Sequence, residues 1–266
     1  MLELMLIPFL ACLILTGIHV YLGFHVIERG VIFLDLALAQ MAALGGIFGA
    51  VLGLDHIGIP LYLVSLLFTL LGAALFSNVD LKKSKVSKEA FIGICYVLAS
   101  ALAILLLSKS SVESEMLKEM LVGNILTVSR GEVLITALWY ATLGGILFAF
   151  RHQFLRVTQG YLAENMLPSK FWDFCFYALF GTVVTSSVKM AGVFLVFSFL
   201  IIPSVCALLL AKTMRGRLQV GWGVGALASA LGIAASALWD LPTGAAIVAA
   251  FGIIFAGILM RSLKNA

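Results

Sequence analysis

Charge is what this sequence has least of. Asp, Glu, Lys and Arg make up 11% of its residues while hydrophobic residues make up 62%; soluble domains carry about 25% charged residues. So few charges cannot cover a water-facing surface, which excludes an ordinary soluble domain. Also absent are the stretches of ~10 residues alternating in polarity that a membrane β-barrel needs. No Gly-x-x-x-x-Gly-Lys-Ser/Thr phosphate loop occurs, which excludes a nucleotide engine of that type. There is no His-Glu-x-x-His, no nucleophile elbow and no Cys/His cluster of zinc spacing, so nothing argues for an enzyme. The four cysteines, Cys12, Cys95, Cys175 and Cys206, lie far apart in apolar stretches and read as small packing residues. The first apolar run lacks the basic flank and small-residue cleavage site of a removable leader, so it reads as a retained span.

What is present is a series of apolar runs of about the ~20 residues that cross a bilayer as a helix. Nine candidates stand out: 4–27, 31–54, 58–78, 90–108, 132–151, 172–188, 190–211, 218–239 and 242–260. The sixth and seventh are parted only by Val188–Met190, with Lys189 as the sole charge. The reading is an all-α, polytopic transmembrane bundle of eight or nine spans, with residues 1–266 forming a single membrane domain. Basic residues gather in alternate loops: Lys82, Lys83, Lys85 and Lys88; Arg151 and Arg156; Lys212, Arg215 and Arg217; Arg261 and Lys264. Arg29 falls on the same side. The positive-inside rule makes that side cytoplasmic, with the N-terminus outside and the C-terminus inside the cell membrane. The net charge of +4 therefore reflects topology and not nucleic-acid binding.

Two loops are long. Residues 109–131, placed outside, have Met116, Leu117, Met120 and Leu121 at helical spacing, which predicts an interfacial amphipathic helix. Residues 152–171, placed in the cytoplasm, include "GYLAENMLP", a short helix expected between Gly160 and Pro168. Such a helix is either surface cover or a dock for another protein.

The polar groups within the spans concentrate near the N-terminus. "VIFLDLALAQMAALGG" sets Asp35 and Gln40 among apolar residues. Intramembrane polar groups mark a transport path or binding site by default. If spans one and two form a hairpin turning at Glu28–Gly30, His25 lies level with Asp35 and His19 with Gln40. These levels are about 7 Å and about 15 Å past the turn at 1.5 Å per residue. His and Asp are transition-metal ligands, which makes His25 and Asp35 candidate metal-contacting residues. The alternative is structural: His19 and His25 share no helix face, nor do Asp35 and Gln40, and each polar group can bind a neighbouring helix. His56 and His152 read as ordinary interfacial residues. Ala37, Ala39, Ala42, Ala43, Gly45 and Gly46 let another backbone approach span two closely, which places that span inside the bundle.

Several stretches resemble the permease subunits of zinc/manganese/iron ABC importers. "GNILTVSRGEVL" (123–134) is similar to that family's Gly-Ser-Ile-Leu-Thr-Val-Ser stretch. "VKMAGVFLVFSFLIIPSVCALLLAK" (188–212) resembles its Pro-containing span, "WDLPTGAAIVAAFGI" (239–253) its Leu-Asp-Leu-Pro-Thr-Gly-Pro segment, and "ALAQMAALGG" its Ala-Leu-Ser-His-Ala-x-Leu-Pro-Gly stretch. The likeness runs in order along most of the chain. It implies a permease that works as a homodimer in the membrane lipid, with ATP hydrolysed on separate cytoplasmic ATP-binding subunits and cargo delivered by an external binding protein. It implies no stably bound cofactor; a divalent metal ion would be cargo. The coupling segment would comprise Gly160, Tyr161, Ala163, Glu164 and Pro168, of which Ala163 matches the family's Asp-Pro-Glu-x-Ala pattern. Gln40 stands where the family has histidine, and Asp35 falls one residue before the family's aspartate. Other readings are an ABC permease for a non-metal or chelated-metal cargo, and a secondary carrier driven by an ion gradient. The last predicts an inverted repeat, and no convincing one occurs.

Overall fold

The computed structural model of the chain describes residues 2–54, 58–79, 85–108, 125–162 and 169–264. Its helices are α1 (Leu2–Glu28), α2 (Leu34–Val51), α3 (Ile59–Asn78), α4 (Lys88–Ser108), α5 (Arg130–Ala149), α6 (Arg151–Leu162), α7 (Lys170–Ala191), α8 (Val193–Leu210), α9 (Met214–Trp239) and α10 (Thr243–Lys264), with a 3-10 turn at Ile125–Thr127. All but α6 are long and apolar enough to cross a membrane, giving nine spans among the described residues, as the apolar runs predict. The expected interfacial helix around Met116–Leu121 lies outside the described residues.

Local chemistry explains the helix ends. Ser129 and Glu132 form a reciprocal capping box at the start of α5: Ser129 N–H donates to Glu132 Oε2 at 2.8 Å and Glu132 N–H to Ser129 Oγ at 3.2 Å. Thr213 caps α9, accepting from Gly216 N–H at 3.2 Å. α9 ends at Asp240, whose φ of 51° is a left-handed conformation that Asp tolerates better than most residues. The break between spans six and seven lies a few residues later than the lone charge of Lys189 suggests. Helix α7 runs on to Ala191, and the chain turns at Gly192, where φ 78° and ψ 159° define a conformation open essentially only to glycine.

Residues cluster into two compact units, Met1–Phe24, Leu121–Gly144 and Lys189–Ala266 in the first, His25–Met120 and Gly145–Val188 in the second. Three of the four passages between them fall inside helices α1, α5 and α7.

In the first unit α8, α9 and α10 pack against one another. Phe199 and Phe251 meet edge to face at 5.2 Å. Helix α1 joins them by close backbone approach: a Cβ at Gly23 would collide with the Leu200 carbonyl and Ser204 Oγ, and Gly221 and Gly225 of α9 face Val20 and Thr16. Ser204 Oγ lies 3.2 Å from the Val20 carbonyl of α1 and 2.8 Å from its own Leu200 carbonyl. Small residues and hydroxyl bridges join helices in lipid, where apolar burial gives little preference for protein over acyl chain.

In the second unit α2 is central, as its small residues predict. Its span is 78% buried, the highest share of the nine, and it packs on α3 and α4. Gly45 lets Phe68 and the Val64 carbonyl of α3 approach so closely that a Cβ there would sit 2.8–2.9 Å from them. Thr69 Oγ1 of α3 and Thr185 Oγ1 of α7 lie 2.9 Å apart, while each also reaches a carbonyl of its own helix, Ser65 at 2.9 Å and Gly181 at 2.8 Å. Aromatic rings seat α6 on α7: Phe154 stands 5.8 Å from Trp172 and 6.1 Å from Phe176.

A paired substitution tests the α1–α8 contact. Gly23→Ala must push α1 away from backbone atoms and is expected to cost about 1–3 kcal/mol. Gly17→Ala, whose Cβ meets nothing within 4 Å, is expected to be neutral or to gain up to about 1 kcal/mol from helix propensity. Thermal midpoints of the two variants in one detergent give the comparison; equal midpoints would refute the tight contact.

Candidate functional site

The C-terminal turn of α1 presents two polar side chains one helical turn apart. Arg29 follows the last residue of α1, but its N–H still bonds the His25 carbonyl at 3.0 Å, so His25 and Arg29 keep the i, i+4 relation and share a face. Gly30, at φ 63°, then ends the helix, and Val31 N–H closes back on the Val26 carbonyl at 3.2 Å in a Schellman-type turn. Helix α2 starts three residues on at Leu34. Its entry is held from outside, since Ile32 N–H donates to Glu89 Oε1 of α4 at 3.1 Å.

Both side chains of that face turn to Thr158 on α6. His25 Nδ1 lies 2.8 Å from Thr158 Oγ1, and Arg29 Nε donates to the same oxygen at 3.0 Å. Arg29 Nη1 also donates to Asp173 Oδ1 of α7 at 2.7 Å, and Lys88 Nζ of α4 reaches Asp173 Oδ2 at 3.3 Å. The guanidinium lies 3.8 Å over the Phe176 ring, and Lys88 Nζ lies 4.9 Å from the Tyr177 ring centre. The Arg29 side chain is fully buried and that of Asp173 is 4% exposed. Four helix segments thus meet on one buried ionic cluster within the second unit.

Asp35 sits in the first turn of α2, fully buried. Neither of its carboxyl oxygens has a hydrogen-bond partner among the described residues. Gln40, also buried, lies further along the same helix. The Nδ1 of His25 engages Thr158, and no hydrogen bond joins His25 to Asp35. His19 belongs to the first unit, where Nδ1 lies 2.8 Å from the Leu15 carbonyl of its own helix and the ring meets Tyr140 edge-on at 6.4 Å. Among the described residues no three of His, Cys, Asp and Glu gather where they could hold a metal ion.

The expected coupling segment is placed in part. Its helix starts at Arg151, earlier than the glycine at 160 suggests, and Gly160 and Tyr161 lie within its last turn. Glycine here does not begin the helix, because the amphipathic pattern upstream, "RHQFLRVTQ", already buries Phe154, Val157 and Thr158 on one face. Ala163, Glu164 and Pro168 lie outside the described residues. His152 is exposed on α6, and His56 lies outside the described residues.

Reading the sequence alone missed the cluster around Arg29, which passes for a loop residue beside Glu28. One signal was available: Asp173 falls at the second position of the predicted sixth span, an acid within an apolar run that needs a cation. Thr158 carries no sequence signal of this kind.

Relatives share this architecture. A model of the ABC 3 transport family matches residues 1–262. The manganese transport system membrane protein MntC of Halalkalibacterium halodurans is 25% identical over 259 residues, covering 96% of this chain and 87% of that protein. A protein of Haemophilus influenzae named "Probable iron transport system membrane protein" is 28% identical over 260 residues, covering 95% of this chain and 92% of the relative. Among solved structures, PsaBC from Streptococcus pneumoniae in complex with Fab has the same fold, with a TM-score of 0.76 at 24% identity over 95% of this chain and 89% of that one. With the family model matched along nearly the whole length of a nine-span helical bundle, the chain belongs to the ABC 3 transport family and is a multi-pass membrane permease.

Proposed function

We propose that this permease imports a divalent metal ion, manganese ahead of iron or zinc. The observation that carries the reading is the near full-length match to relatives named for manganese and iron transport. The chemistry of α2 supports the preference among metals. Its two buried polar side chains, Asp35 and Gln40, are oxygen donors, and carboxylate and carbonyl oxygens suit manganese better than they suit zinc. Asp35, a buried carboxyl with no hydrogen-bond partner among the described residues, is the residue best suited to meet a passing cation.

The same reading supplies the partners. Two permease copies would form the pathway, ATP-binding subunits would dock on the segment from α6 to Pro168, and an external binding protein would deliver the ion. ATP would be hydrolysed on the partner chains, in keeping with the absence of a phosphate loop here. The basic loops support an N-terminus outside and a C-terminus in the cytoplasm of the cell membrane.

Uptake of radioactive manganese into proteoliposomes holding the permease, its ATP-binding subunit and its binding protein tests the proposal. ATP-dependent uptake, competed by iron and zinc in excess, is expected. Uptake that proceeds without the ATP-binding subunit would favour a gradient-driven carrier, and ATP hydrolysis stimulated only by a chelated metal would favour that cargo. Asp35→Asn removes the anionic oxygen without changing shape. It is expected to abolish most uptake while leaving assembly and thermal midpoint undiminished, because it strands no partner; wild-type uptake would remove Asp35 from the path. Glu164→Lys is expected to weaken stimulation of ATP hydrolysis by the loaded binding protein, and unchanged stimulation would move the dock elsewhere.

A further inference from the structure

Transport driven by ATP requires that movement at the docking segment reach the helix that faces the cargo. The candidate docking segment continues directly from α6, and the carboxyl best placed for cargo lies in the first turn of α2. The described residues connect these two places through one chain of polar contacts. Thr158 of α6 meets both His25 and Arg29; Arg29 begins the six-residue passage to Leu34; and Glu89 of α4 holds Ile32 in the middle of that passage. The connection is ionic, buried and bound on several sides, since Arg29 also grips Asp173 at 2.7 Å while its guanidinium lies over the Phe176 ring.

Such a connection differs mechanically from apolar packing. Leucines sliding over one another exchange one contact for a similar one. A buried guanidinium pulled from its acceptors is left in a medium that cannot solvate it, so the separated state is strongly disfavoured. Helix α6 and the start of α2 are therefore held to move as one body. Arg29 reaches α6 and α7 through separate nitrogens, Nε to Thr158 and Nη1 to Asp173, as a rigid planar fork can and a point-charge ammonium cannot.

We propose that Arg29, with Thr158 and Asp173, is a positioning joint that carries movement of the ATPase-docking segment to α2. The inference rests on the permease reading above. It assigns Arg29 no contact with cargo. It also gives His25 a place in the joint, through its 2.8 Å approach to Thr158.

The experiment uses the full transporter with its ATP-binding subunits. Spin labels are placed at Phe33→Cys and Gln159→Cys, both exposed positions, after replacement of the four native cysteines. The joint predicts that the distance between these labels stays the same in nucleotide-free and ATP-bound states. In Thr158→Val, which keeps side-chain shape and removes the shared oxygen, and in Asp173→Asn, the distance distribution is expected to broaden or shift with ATP. Manganese moved per ATP is expected to fall about fivefold or more, while ATP hydrolysis falls less. Thr158→Val keeps the test usable where Asp173→Asn fails to assemble. A wild-type label distance that changes by several ångströms on ATP binding overturns the joint. So do assembled variants whose distances and transport ratio match wild type, or whose uptake and hydrolysis fall in equal proportion. Failure of the wild-type complex to move manganese would count against the cargo proposal alone, since the label distances are read without cargo.

Discussion

Lipid offers no hydrogen bonds, and most polar features of this fold follow from that constraint. Backbone groups are satisfied inside helices, and hydroxyls on those helices turn back to carbonyls one turn earlier. Thr16 bonds the Cys12 carbonyl at 2.7 Å, Ser100 that of Tyr96 at 2.8 Å, Thr142 that of Leu138 at 2.9 Å and Ser229 that of Gly225 at 2.7 Å. The chain can then place Ser and Thr in apolar spans without pairing each to another helix. Contacts between helices rest instead on shape, through glycines such as Gly23 and Gly45 that let one backbone lie against another.

The buried charges at Arg29 and Asp173 are handled differently, by partners on other helices. The cluster formed by Arg29, Asp173 and Lys88 solves the problem by bringing the ends of α1, α4 and α7 to one point. Flat aromatic surfaces at Phe176 and Tyr177 complete the enclosure. Buried ion pairs add little net stability, since desolvation opposes their attraction. Their value lies in how narrowly they define an arrangement. Asp35 is the exception in α2, a buried carboxyl outside any such arrangement among the described residues. A buried carboxyl left in this way costs stability, which is why the proposal above turns on Asp35.

The broad architecture was legible in the sequence because its signal is physical and repeated. Each apolar run of bilayer length became a helix, and the small residues of "ALAQMAALGG" marked α2 as interior. Single-residue events were harder to read. Lys189 looked like the boundary between two spans, yet a charge near a helix end can remain helical, whereas Gly192 at positive φ cannot. Equal depth placed His25 beside Asp35, but depth says nothing about rotation around the helix axis. The Nδ1 of His25 meets Thr158 Oγ1, the oxygen that Arg29 also contacts. That partner lies 133 residues away in sequence, on a helix whose upstream start was masked by the conspicuous Gly160. Contacts of that range leave no local pattern to find.

Proton counting separates two kinds of helix contact in the second unit. Thr69 and Thr185 make three hydroxyl contacts, one between α3 and α7 and one from each to its own helix, yet two hydroxyls hold only two protons. The contact between helices therefore borrows or shares a proton that would otherwise serve one threonine's own carbonyl. When the helices part, that proton returns home and no donor is left empty. Opening that bridge would cost little hydrogen bonding, in the same unit as a guanidinium held by side chains of two other helices. Parting the threonines strands no donor, whereas parting the arginine from its acceptors would leave a cation buried without them.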